Sequence, residues 1–91
     1  MSSIRVRHGL FLTYPQCSMD PQGLMDACLT RLQPLDWIIV CQEDHSDDQG
    51  KHLHAVLNFP SQRQFQHTTL NNLTGQHGNY QGMLAAFVLY D

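Results

Sequence analysis

The stretch Lys51-His52-Leu53-His54-Ala55-Val56-Leu57-Asn58-Phe59 is apolar and β-branched from Leu53 onward and is closed by Pro60, which is the pattern of a β-strand. Strand side chains alternate between faces, so His52 and His54 leave from one side, roughly 7 Å apart along the chain. Leu53, Ala55, Leu57 and Phe59 leave from the other, toward a core. Two imidazoles side by side on a rigid strand form a preorganised pair of nitrogen ligands for a divalent metal. Such a pair needs a third ligand. Trp37-Ile38-Ile39-Val40-Cys41-Gln42-Glu43 is a second apolar run that ends in a carboxylate. The polar segment Asp44 to Gly50 has the length of a hairpin loop, which sets Glu43 beside the two histidines.

The rest of the chain arranges itself around that hairpin. Residues Ile4 to Tyr14 read as a first strand, with Ile4, Val6, Leu10 and Leu12 alternating against polar neighbours and Gly9 marking a bulge. Asp20 and Pro21 suit the cap and first position of a helix, and Leu24, Met25, Cys28, Leu29 and Leu32 recur at helical spacing until Pro34 stops it. After Pro60, Ser61 caps a short second helix bearing Phe65, Leu70 and Leu73, closed by Gly75. His77 to Gln81 is read as a fourth strand, and Met83 to Tyr90 as a terminal helix. The order strand, helix, strand, strand, helix, strand is that of an α+β, ferredoxin-like (RRM-like) antiparallel sheet with its helices on one face. His52 and His54 then fall on the open face.

Composition bounds the function classes. The 91 residues suffice for one domain with a modest core. Three cysteines, Cys17, Cys28 and Cys41, are an odd number set in or beside apolar segments, which suits reduced, mostly buried thiols in an intracellular setting. No run approaches the roughly 20 apolar residues of a membrane span. The formal charge of −3 argues against a protein that coats DNA generally. Asp44, Asp47 and Asp48 share one loop, however, and the remainder is near neutral, so a site-specific nucleic-acid contact stays open.

Three stretches, in this order, resemble the nicking domain of rolling-circle replication initiators of the HUH endonuclease superfamily, in particular the Rep proteins of geminiviruses, genomoviruses and related circular single-stranded DNA viruses. Phe11-Leu12-Thr13-Tyr14-Pro15-Gln16-Cys17 looks like the first Rep motif. His52-Leu53-His54 followed by an apolar strand looks like the second. His77-Gly78-Asn79-Tyr80-Gln81 is similar to the segment before the family's catalytic helix, with Gly78 where proline is usual. Glu43 is placed like the family's acidic ligand. The resemblance spans about residues 10 to 90. The third motif, a tyrosine followed three residues later by lysine, fits Tyr90, and its lysine would fall after Asp91. The expectation is therefore a single domain over residues 1–91, truncated just after its catalytic tyrosine. A second register puts Phe87 at the tyrosine position, as in an inactivated variant.

That resemblance implies an enzyme that nicks and joins single-stranded DNA at a hairpin origin and so initiates rolling-circle replication. Tyr90 would be the nucleophile and form a covalent 5′-phosphotyrosine link. Glu43, His52 and His54 would hold a divalent metal, Mn²⁺ or Mg²⁺. Across the open face, Tyr14 would stack on a base, Thr13, His77, Asn79 and Gln81 would contact bases or phosphates, and Arg5 and Arg7 would meet the backbone. A helicase region would follow in the native protein, oligomers would form only at full length, and the setting would be the host nucleus. Three competing classes remain. A non-catalytic RRM-like binding module would share the topology, but should show two or three aromatics on its central strands, where Trp37 and Phe59 stand alone. A plasmid or transposase member of the superfamily would share the chemistry. A small zinc hydrolase would cut without a covalent adduct.

Overall fold

The computed structural model describes residues 2–45 and 50–83, with the side chain of residue 45 left aside. The elements run β1 (Ser3–Val6), β2 (Gly9–Tyr14), α1 (Pro21–Arg31), β3 (Trp37–His45), β4 (Gly50–Asn58), β5 (Arg63–Gln66), α2 (His67–Asn71) and β6 (Asn79–Met83). Four of the strands form an antiparallel sheet in the order β3-β4-β2-β6, and β1 pairs with β5 in a separate two-stranded ribbon. This is the α+β, ferredoxin-like arrangement expected from the sequence.

Period-2 burial makes the sheet two-sided. In β4, Leu53, Ala55 and Leu57 are fully buried while His52, His54, Val56 and Asn58 between them are not. In β2, Leu10, Leu12 and Tyr14 point the same way as Leu53, Ala55 and Leu57 and join Leu24 and Cys28 of α1 and Leu70 of α2 in one core. Both helices therefore cover one face. Helix α1 spans the expected residues: Asp20 occupies the cap position with extended backbone, Pro21 opens the helix, and Arg31 ends it. Among the described residues, no helix is long and apolar enough to cross a membrane.

Four local expectations are corrected. The first strand is two strands. The chain bends at Arg7 and His8, and His8 accepts Phe59 N–H at 2.8 Å through its carbonyl. The break sends β1 to pair with β5, and Gly9 opens β2 rather than forming a bulge. The second helix is shorter than its sequence pattern suggests, because residues 63–66 are a strand. The free edge of β1 offers Arg63 to Gln66 a backbone ladder, Phe65 goes to the core, and Gln66 instead of Ser61 occupies the cap of α2. Gly75 still closes that turn in a left-handed conformation (φ +82°), donating its N–H to Asn71 at 2.8 Å. The hairpin strands run on through Asp44, opposite Lys51, and His45, opposite Gly50, so the pairing extends into the segment expected to be loop. Finally, Met83 belongs to β6. The rest of the expected terminal helix, with Phe87 and Tyr90, lies outside the described residues.

Candidate metal centre and nucleic-acid face

The hairpin register brings the three expected ligands together. Glu43 stands directly opposite His52, and His54 lies two residues along on the same face. One ligand atom from each of Glu43, His52 and His54 lies within 4.8 Å of the others. Glu43 Oε1 is 3.1 Å from His54 Nε2, and the two imidazole centroids are 6.4 Å apart. Ligand atoms bound to one divalent ion at about 2.0–2.2 Å sit about 3 Å apart when adjacent. The Glu43–His54 spacing already meets that distance, and a ring nitrogen of His52 lies within 4.8 Å of both. One carboxylate and two imidazoles also form a donor set that first-row divalent ions accept. The residues fit the group.

Neighbouring side chains hold His54 in place. Thr13 is its register partner on β2, and Thr13 Oγ1 lies 3.2 Å from His54 Nδ1. Phe11, one row further, stacks on the imidazole with centroids 5.8 Å apart and planes 9° from parallel. The rows across the open face read Cys41, His54, Thr13, Asn79, and then Ile39, Val56, Phe11, Gln81. Phe11, Ile39, Cys41, Val56, Glu43 and His54 line a shallow depression beside the ligand group. Ile39 is 49 % exposed there. Alternation along β2 and β3 carries the signal for these residues, since they share the parity of Thr13 and Glu43. Cys17 and Cys28 are buried, and only Cys41 of the three free thiols is exposed.

The other candidate contacts divide. Asn79 and Gln81 are exposed on the open face, in register with Thr13 and Phe11. His77 is exposed just before β6, with its Nδ1 3.2 Å from Asn71 Nδ2. Arg5 and Arg7 are gathered elsewhere. With Gly82 and Met83 they line a depression at the opposite end of β2, on the order of 13 Å along the strand from the Thr13 row. Tyr14 is not available for base stacking. It sits on the helix face at 0 % exposure, donates its hydroxyl to the Leu70 carbonyl at 2.6 Å and meets Tyr80 edge-on. Burial pushes its phenol well above the usual range, and the neighbouring Tyr80 adds to the shift. Gly78 explains part of this packing: a Cβ there would lie 2.7 Å from the Thr13 carbonyl and from the Tyr14 ring.

With the ligand group and the sheet on the page, comparison with known families decides the assignment. Residues 4–86 match the geminivirus Rep catalytic domain. The chain belongs to that family. Geminivirus Rep catalytic domains initiate rolling-circle replication of viral DNA, bind single-stranded DNA at the origin and have nicking endonuclease activity. The match spans both motif-bearing strands of this Rep domain and the whole four-stranded sheet.

Proposed function

We propose that this Rep domain nicks and rejoins origin DNA by nucleotidyl transfer to Tyr90, with Glu43, His52 and His54 holding a divalent metal, Mn²⁺ or Mg²⁺, and that it does so in the host nucleus. The observation that supports this reading is the convergence of one carboxylate and two imidazoles within 4.8 Å on the sheet face that, among the described residues, neither helix covers. When bound, the ion supplies Lewis acidity at a non-bridging phosphate oxygen and offsets charge that builds up in the transition state. The phenolic oxygen of Tyr90 forms a bond to phosphorus as the bond to the 3′ oxygen breaks. The phenolic proton is given up and the departing 3′ oxygen gains one. A phenol suits a reversible step, because its ordinary pKa of about 10 makes it a better leaving group than an alkyl alcohol. Thr13, Asn79 and Gln81 line the path that a single strand takes across the open face, and Arg5 and Arg7 meet its backbone further along.

The test mixes the protein with a labelled single-stranded origin oligonucleotide and Mn²⁺ and resolves the products on a denaturing gel. The expected result is a retarded protein–DNA conjugate that is absent in Tyr90→Phe and absent with EDTA. A conjugate that survives Tyr90→Phe identifies another nucleophile. Cleavage with no conjugate points instead to a hydrolytic water.

A further inference from the structure

Among the described residues, His54 touches a different partner at each ring nitrogen. A neutral imidazole carries one N–H and one lone pair. Glu43 Oε1 lies 3.1 Å from Nε2 and the Thr13 hydroxyl 3.2 Å from Nδ1; a neutral ring that gives its one proton to an ionised Glu43 offers Nδ1 to Thr13 as an acceptor. A nitrogen that binds a cation must offer its lone pair, and binding through Nε2 therefore requires the proton on Nδ1. The partner at Nδ1 must then donate in one state and accept in the other. A carbonyl or carboxylate cannot do both, and a hydroxyl can.

We propose that Thr13 is a positioning residue for His54, its hydroxyl donating to Nδ1 in the metal-free ring and accepting from Nδ1–H once Nε2 carries the ion. This rests on the metal-binding reading of the preceding section. On loading, one proton leaves Nε2 and one arrives at Nδ1, both exchanged with solvent, so the ring's charge is unchanged. The ring itself need not turn. Phe11 stacked on its face keeps the plane fixed, and the hydroxyl only rotates its hydrogen. The His54 side chain is 20 % exposed, so the ring lies mostly against its protein neighbours. The first Rep motif thereby acts on the second: Phe11 and Thr13 set the plane and the tautomer of His54.

Two measurements test this on the 91-residue chain. Long-range ¹H–¹⁵N imidazole spectra should show His54 as the Nε2–H tautomer without metal and as Nδ1–H with diamagnetic Zn²⁺ bound. Calorimetric titration with Mn²⁺ should show binding about ten- to a hundredfold weaker in Thr13→Val, with Thr13→Ser close to the parent and thermal unfolding little changed in either. Thr13→Val binding Mn²⁺ as tightly as the parent overturns the inference, as does a metal-free His54 already in the Nδ1–H form. A parent chain that binds no Mn²⁺ sinks the metal reading itself, and is told apart because the variants then show no difference to measure.

Discussion

Thr13 and Tyr14 are neighbours in the chain and opposites in the structure. Thr13 turns its hydroxyl to the open face, against His54. Tyr14 turns its ring to the helix face, where it is fully buried and tied to the Leu70 carbonyl. The same contrast holds along β4, where His52 and His54 alternate with Leu53 and Ala55. A strand cannot separate its two faces in sequence, so each short motif carries both stability and chemistry. The two are distinguished by parity alone. One face can then be altered without the other, and substitutions of adjacent residues should fail in different assays.

The largest expected effects test that separation directly. His54→Ala removes a candidate ligand from the histidine-bearing face, and Mn²⁺-dependent nicking should fall on the order of 10²–10³-fold while the melting temperature moves by only a few degrees. Leu57→Ala opens a cavity beneath the sheet, at a fully buried position. It should cost about 2–5 kcal/mol, and in a domain of this size each kcal/mol shifts the melting temperature by about 4–8 °C. Below its lowered transition, Leu57→Ala should still bind Mn²⁺ like the parent. Calorimetry and the gel assay together decide the matter. A His54→Ala chain that unfolds, or a folded Leu57→Ala chain that has lost the metal, breaks the division between the faces.

Parity was also what the sequence made most legible. Alternation from Leu53 to Phe59 fixes which face the histidines occupy, and a hairpin joining two long apolar runs brings Glu43 opposite His52 even though the strands extend further than the polar segment suggests. The same rule places Tyr14 with Leu10 and Leu12. Reading it as a stacking platform puts its aromatic character ahead of its position, and the structure follows position. The ribbon of β1 and β5 was not legible, because it pairs Ser3 with Gln66 and no local pattern reports so distant a partner. The mixed spacing of Phe65, Leu70 and Leu73 follows from it, since Phe65 belongs to a strand and the two leucines to the helical turn beyond. The contact between Thr13 and His54 likewise depends on the register of β2 against β4, which nearby residues do not encode.

A smaller change sharpens the contrast at Tyr14 itself. Tyr14→Phe keeps the ring and deletes the hydrogen bond to Leu70. The Leu70 carbonyl retains the N–H of Leu73 at 3.3 Å, so it is not left bare. The loss should be about 1 kcal/mol, visible in urea unfolding, with Mn²⁺ affinity unaltered. An unchanged stability would mean that the buried hydroxyl contributes nothing net. A weakened metal site would mean that the two faces communicate.

A last effect, of similar size, is silent at neutral pH. Burial pushes the Cys28 thiol from 9.0 up to about 12, and raises Tyr14 as well. A group whose folded pKa lies above its unfolded value stabilises fully below the unfolded pKa and loses that contribution as pH climbs toward the folded one. Above pH 9 the unfolded chain releases the Cys28 proton and the folded chain keeps it, so stability must fall as pH rises. By pH 10, one unit above the unfolded value, Cys28 alone should account for about 1.4 kcal/mol. Urea unfolding of the parent and of Cys28→Ala at pH 7.5 and pH 10 measures this. Cys28→Ala should be less stable at the lower pH, because it deletes a buried side chain, and should lose less on going to the higher one. Equal losses in the two proteins would mean that the helix face admits water to that thiol, and that the sheet is less sharply two-sided than the burial of Leu53, Ala55 and Leu57 indicates.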